Sequence, residues 1–217
     1  LLPFTFLNAQ QPDFLWAAQF GNPPNSSDAK STLASDSEGN FYMAAEFTGT
    51  IELGNKQLVS SGGTDVFLVK YNQDGVPEWS LKLGGTNDDY IQKIVTDAEN
   101  NILLAGYFYG TTQIGPDQYT SLGSQDLFLS KFDAEGNFIW SGHFGGPMAD
   151  YISGLDAGIG SSAVVTGHYY AQISFGDTTL YEESSSGIYT AKFSYGGQLE
   201  WVNGIGGTSS DQARSVS

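Results

Sequence analysis

Tryptophan recurs in this chain at positions 16, 79, 140 and 201, at intervals of 63, 61 and 61 residues. After Trp79, Trp140 and Trp201 the same phrase follows: a Gly-Gly pair (Gly84-Gly85, Gly145-Gly146, Gly206-Gly207), then an aspartate (Asp89, Asp150, Asp211). A fixed period of this length marks stacked supersecondary units, none of which buries its apolar face alone. The 217 residues are therefore read as a repeat array, with repeats near 25–83, 86–144 and 147–205 and a partial copy over 206–217.

Each copy reads as four strands. In the second they are expected at 90–96, 102–109, 126–132 and 137–144, with a long connection between the middle two. The turns have a mechanism: Asp36-Ser37-Glu38-Gly39-Asn40, Asn72-Gln73-Asp74-Gly75 and Asp133-Ala134-Glu135-Gly136-Asn137 each set Asp or Asn where its side chain closes an Asx turn. Glycine then stands where positive φ is needed, as in a short β-hairpin loop. The second strands, 102–109 and 163–170, are apolar at nearly every position. A strand apolar on both faces must be covered on both.

A small antiparallel sheet sandwiched between copies of itself is a β-propeller blade. The expected fold class is thus all-β, with β-propeller blades of four antiparallel strands. About three complete blades with partial strands at both ends make an incomplete propeller. The glycine pairs would let the chain pass tightly from one blade's outer strand to the next blade's inner one. Copy one departs here, with Gly21-Asn22 followed by Pro23-Pro24. Lys70, Lys131 and Lys192 precede Asp89, Asp150 and Asp211 by 19 residues each. A lysine on an apolar strand is costly to desolvate without a carboxylate, so pairing between blades through these two series is expected.

With 24 acidic and 8 basic residues the net charge is −16, which repels phosphate backbones, so nucleic acid is not an expected partner. Residues 1–10 read as the end of an apolar signal-peptide region followed by the small polar stretch Asn8-Ala9-Gln10, with an edge strand as the alternative. Secretion or cell-surface display follows from the first reading. No run of residues is long and apolar enough for a membrane-spanning helix. Cysteine is absent, so packing alone must hold the fold.

These phrases resemble the bacterial seven-bladed β-propeller repeats known as SBBP repeats. The resemblance rests on Asp65-Val66-Phe67-Leu68-Val69-Lys70-Tyr71 with Asp74-Gly75, and on residues 126–132 with Asp133-Ala134-Glu135-Gly136, and extends over most of the chain. It implies a large exported or cell-surface bacterial protein, often one with a C-terminal type IX secretion signal, and no common enzymatic activity. Copy three departs from the pattern, with Gly187 where the others have Asp65 and Asp126, and with Ala157-Gly158-Ile159-Gly160 in place of the tidier turn.

No catalytic constellation is evident. His143 and His168 are the only histidines and lie on different strands without an obvious partner. Calcium could use the turn acids Asp36, Glu38, Asp74, Asp133 and Glu135, but the EF-hand spacing is missing and Asx turns already account for these residues. No cofactor is expected, with calcium as the alternative. Recognition should use what varies between copies, namely the long connections at 49–64, 110–125 and 171–186. There Asp117, Tyr119, Tyr181, Glu182 and Glu183 combine aromatic faces with carboxylates suited to a sugar or a basic peptide. The expected role is a non-catalytic exported module for adhesion or protein contact. The alternative is a carbohydrate-binding accessory propeller of a larger secreted hydrolase.

Overall fold

The structure, a computed structural model, describes residues 30–207 and 210–216, without the side chains of Ser184 and Ser185. Trp16, the 1–10 segment and the Gly21–Pro24 passage lie outside the described residues.

The described chain is almost wholly antiparallel β. Its first sheet has the order β1 (Ser31–Ser35), β2 (Phe41–Phe47), β5 (Asp65–Tyr71), β6 (Pro77–Leu83), with a separate hairpin of β3 (Thr50–Leu53) and β4 (Lys56–Val59) between β2 and β5. The second runs β7 (Asp89–Thr96), β8 (Ile102–Ile114), β9 (Asp117–Phe132), β10 (Phe138–Phe144). The third runs β11 (Tyr151–Gly158), β12 (Ser162–Phe175), β13 (Thr178–Phe193), β14 (Leu199–Ile205), with a single 3₁₀ turn at Ile159–Ser161. The Asx turns form as the sequence implies. Asp133 Oδ1 accepts the amides of Glu135 and Asn137 at 3.0 and 2.8 Å, and Asp36, Asn72 and Asp97 repeat the pattern.

The sheets stack because their middle strands are two-faced. Along β8, Ile102, Leu104 and Phe108 join Tyr42, Ala44, Val66 and Leu68 of the first sheet in one core. The alternate residues Leu103 and Ala105 join Ala163, Val165, Tyr189 and Ala191 of the third in another. The two-residue period of a strand sends successive side chains into successive seams. Each fully buried aliphatic or aromatic side chain there contributes about 1.5–3 kcal/mol. The result is a propeller-like stack, and the described residues do not close it into a ring.

Two devices lock each seam. Trp79 donates its indole N–H to the carbonyl of Ala134 at 3.1 Å, and Trp140 donates to Tyr195 at 2.8 Å, so each indole closes onto the β-turn of the following sheet. The glycine pairs make the crossover: the Gly146 amide donates to Asp150 Oδ2 at 2.9 Å, and a Cβ on Gly146 would fall 2.1 Å from the Gln172 carbonyl oxygen. Gly85 and Asp89 repeat the bond at 2.8 Å. Asp89 and Asp150 therefore cap the crossover.

This corrects the expected lysine pairing. Lys70 meets Glu78 at 3.1 Å and Lys192 meets Glu200 at 2.8 Å, both across to the neighbouring outer strand. In the second sheet that neighbour is Ile139, and Lys131 turns inward to Asp97 at 2.7 Å instead. Asp89, Asp150 and Asp211 are not these partners: the first two are engaged by glycine amides, and Asp211 joins the previous sheet through its backbone and Ser186.

The long connections at 110–125 and 171–186 are not loops either. They are continuations of β8–β9 and β12–β13 past the sheet, turning at Gly115-Pro116 and Gly176-Asp177, while in the first sheet the same excursion is the β3–β4 hairpin.

Candidate functional site

Within otherwise alike sheets, two pairs of positions change their chemistry from copy to copy, and the first lies on the inner strands. Phe47, Phe108 and Tyr169 hold one register position, opposite Asp65, Asp126 and Gly187, so the residues before them, Glu46, Tyr107 and His168, are equivalent. Across the inner strand pair these face Lys30, Tyr90 and Tyr151.

The aromatic members cluster. Tyr90 and Tyr107 stack with ring centroids 4.9 Å apart, and Tyr109 stands edge-on to both at 6.3 and 6.2 Å. In the third sheet Tyr151 and His168 stack at 4.4 Å, with Tyr170 edge-on. All six rings are half-buried. Burial, then the charge of Glu46 and the neighbouring phenols, pushes Tyr107 up to about 12, and Tyr90 and Tyr109 are raised chiefly by burial as well. These phenols are uncharged at neutral pH. Burial lowers His168, whose Nδ1 has no hydrogen-bond partner among the described residues.

Glu46 is 7% exposed. Its Oε2 accepts the Lys30 amide at 3.2 Å, the Ile91 amide and the Lys30 charge also favour its ionised form, and Oε1 is closed off from solvent. Burial raises its carboxyl. Asp88 flanks the row, its Oδ1 accepting the Thr64 amide at 2.7 Å, and Tyr109 donates to Gln125 at 2.7 Å.

A second set of polar groups lies deeper in the seams. Asp65 pairs with Lys82 at 3.3 Å, and Asp126 with His143 Nε2 at 2.7 Å. His143 thus has the partner that its sequence position did not suggest. In the third sheet the equivalents of both acid and base are glycines, Gly187 and Gly204, and the Tyr169 ring lies against Gly187 and near Gly204. Loss of the acid together with its base keeps either charge from being buried alone. Ser141, two residues from His143, bonds Asp117 and Tyr119 rather than the imidazole, so these groups do not form a nucleophile–base pair.

Of the residues singled out from sequence, Asp117 and Tyr119 are held in the strand pair: Asp117 Oδ2 accepts Ser141 at 2.8 Å, and Tyr119 is packed against the core. Tyr181 lies on β13 at 71% exposure, with Glu183 exposed and Glu182 half-buried beside it. Trp79 and Trp140 are seam residues, Trp201 stands open at the third sheet, and His168 belongs to the aromatic row. The turn acids Asp36 and Asp133 spend their oxygens on Asx bonds, and among the described residues no three His, Cys, Asp or Glu side chains converge as metal ligands do. Sequence reading missed the row itself. Its signal was present in Tyr107-Phe108-Tyr109 and His168-Tyr169-Tyr170, each directly after a glycine of the second strand.

No family model matches the chain. It is similar to an uncharacterized WD repeat-containing protein, L264, of Acanthamoeba polyphaga mimivirus, 29% identical over 185 residues that cover 72% of this chain. The match spans 13% of that relative's length. Among the described residues no helix is long and apolar enough to cross a membrane.

Proposed function

We propose that the protein is a non-catalytic repeat scaffold for protein contacts, and that its contact surface is the aromatic row on the inner strands rather than the hairpin extensions. One observation carries this: the apolar seam positions keep their kind between sheets, as in Phe67/Phe128/Tyr189 and Tyr71/Phe132/Phe193, whereas the row alternates Lys30/Glu46, Tyr90/Tyr107 and Tyr151/His168. A position free to vary in an array whose packing is fixed is where specificity is written. Half-buried tyrosines supply large, rigid contact area at low entropic cost. The similarity to a WD repeat-containing protein supports a repeat scaffold. The SBBP-like phrases and the apolar start support export to the cell surface.

A photo-reactive residue placed at Tyr109 or Tyr170 of the full protein, in the cells that make it, should give discrete protein adducts. The same residue at Lys56 on the β3–β4 hairpin should give none. Equal labelling at all three positions overturns the assignment of the row. The carbohydrate reading draws on exposed Tyr181 beside Glu183. Glycan binding abolished by Tyr181→Ala would favour it.

A further inference from the structure

We propose that the Tyr151–His168 stack is an acid-released latch on the third-sheet part of the row: a neutral imidazole holds the aromatic surface together, and a proton on His168 expels the ring and breaks that surface up. The inference rests on the scaffold reading above and names the regulation of its site. The two rings lie flat on each other, 4.4 Å apart at 7°, with Tyr170 edge-on at 6.3 and 6.2 Å. His168 Nδ1 is enclosed and meets no hydrogen-bond partner among the described residues. A neutral imidazole can carry its one N–H at Nε2 and leave Nδ1 bare. Protonation puts both an N–H and a charge on that enclosed side, with no acceptor to receive them. The attraction of an imidazolium for the Tyr151 face opposes this, but burial prevails and holds His168 below its ordinary 6.5.

No acid stands by to change that outcome. Asp150, beside Tyr151 on the inner side, bonds the Gly146 amide, and Glu182 of β13 is directed at Gly206. The residue opposite His168 on β13 is Ile188, Arg214 of the 210–216 segment is exposed, and the second-sheet members of the row are uncharged phenols. His143 shows the contrast: its Nε2 lies 2.7 Å from the Asp126 carboxylate, so a proton arriving there is met. The backbone beneath the stack is fixed. Tyr189 donates its hydroxyl to the Tyr151 carbonyl at 3.0 Å, and a Cβ on Gly167 would fall 1.8 Å from that same oxygen, so the imidazole is the member able to leave. The second sheet carries the same triad with Tyr107 in place of the histidine, stacked on Tyr90 at 4.9 Å, and has nothing to titrate in weak acid. Because the folded value lies below 6.5, the native state binds this proton less tightly than the unfolded one. The stack is therefore intact above pH 6.5 and is lost as pH falls below it.

The test is a proton NMR titration of the full chain from neutral into weak acid. The His168 imidazole should titrate with a midpoint below 6.5, and the Tyr151 ring signals should lose their ring-current displacement at the same midpoint. Signals of Tyr90 and Tyr107 should stay in place. A His168 midpoint at or above 6.5, or Tyr151 signals that do not move as His168 titrates, overturns the latch. His168→Tyr, which copies the second sheet, should hold Tyr151 still throughout; if it fails to fold, the native titration decides alone. In extracts of the producing cells, adducts from a photo-reactive residue at Tyr170 should fall about tenfold from about pH 7.5 to about pH 5. Those at Tyr109 should persist, and His168→Tyr should remove the fall at Tyr170. Equal falls at both positions would mean a general effect of acid and overturn the regulation. Absence of adducts at either pH, with Tyr151 moving as expected, would reject the scaffold reading and keep the latch. Adducts of equal yield at both pH values, with Tyr151 unmoved, would do the reverse.

Discussion

Lys131 shows how one substitution in a repeat redirects a side chain. With Ile139 where the other copies carry Glu78 and Glu200, its ammonium has no cross-strand acid and is drawn inward onto Asp97, the Ser161 carbonyl at 2.9 Å and the Tyr195 ring. Burial opposes the Asp97 charge, but the Lys131 and Asn101 hydrogen bonds prevail and hold its carboxyl below the usual range. Removing one member of such a pair strands the other, so Lys131→Met should cost about 3–5 kcal/mol in urea unfolding. Lys192→Met, at the partly exposed equivalent, should cost about 1 kcal/mol or less. The seam aspartates behave oppositely. Burial, against the Gly146 amide and with the help of Asp126, pushes Asp150 up to about 8, and burial lifts Asp89 to about 6. A carboxyl whose folded pKa is raised binds its proton more tightly in the native state. Stability therefore falls as pH rises from the unfolded value of 3.8 toward about 8 and levels off above it. Each such group contributes a slope of up to about 1.4 kcal/mol per pH unit within its own window. Asp150→Asn keeps an acceptor for Gly146 and carries no charge. Its melting temperature should exceed the native protein's by a margin that widens from pH 5 to pH 8; a constant margin would mean that Asp150 does not titrate on unfolding.

Strands were legible wherever local chemistry decided them. The expected 90–96 and 102–109 became Asp89–Thr96 and Ile102–Ile114, and every Asx turn reappears, because an Asp with a glycine three residues on specifies its hairpin without distant help. The excursions read as loops because polar residues and glycines crowd them. They are strands nonetheless, since Gly54-Asn55, Gly115-Pro116 and Gly176-Asp177 are two-residue hairpin turns and one face of each pair, with Ile51, Leu53 and Leu58, with Ile114, or with Ile173 and Phe175, is buried in a core. The aromatic row was illegible for another reason. It is made by pairing residues from separate strands, and period alone does not say which of a strand's positions remain half-open. At the foot of the second and third excursions the ladder breaks, with one residue of the first strand, Gly110 at φ +61° or Ala171 at φ +62°, opposite four of the second. Left-handed backbone is unfavourable for alanine by about 1–2 kcal/mol, partly offset by the lower unfolded-state entropy that alanine brings. Ala171→Gly should therefore raise stability by about 0.5–1 kcal/mol in chemical denaturation. Gly110→Ala should lower it by more, because its Cβ would fall 2.4 Å from Asn87 Oδ1.

As a whole the molecule is a one-dimensional stack, in which each sheet draws its stability from the neighbours it touches. The second sheet is packed on both faces by described sheets, and its β8 and β9 supply Leu103, Leu104, Leu127 and Leu129, none with exposed surface. The third sheet has one such neighbour, and its far side carries Trp201 at 41% exposure and Ile205 at 70%, against 8% and 4% for their equivalents Trp140 and Phe144. Identical sequence positions thus hold unequal energy according to whether a further sheet is in place. Trp140→Ala removes a packed indole, its bond to the Tyr195 carbonyl and the surface on which Gly197 rests, and should cost about 3–5 kcal/mol. Trp201→Ala removes the same side chain from the open face and should change stability of this 217-residue chain by about 0.5 kcal/mol or less. Backbone hydrogen exchange separates this account from a uniform one. Amides of Ile102–Ala105 should exchange slowest and those of β14 fastest among the strands, and Trp140→Ala should accelerate exchange in the third sheet more than in the first. Equal acceleration in both would mean that the stack unfolds as one unit, and the inequality between Trp140 and Trp201 would then need a cause other than the missing neighbour.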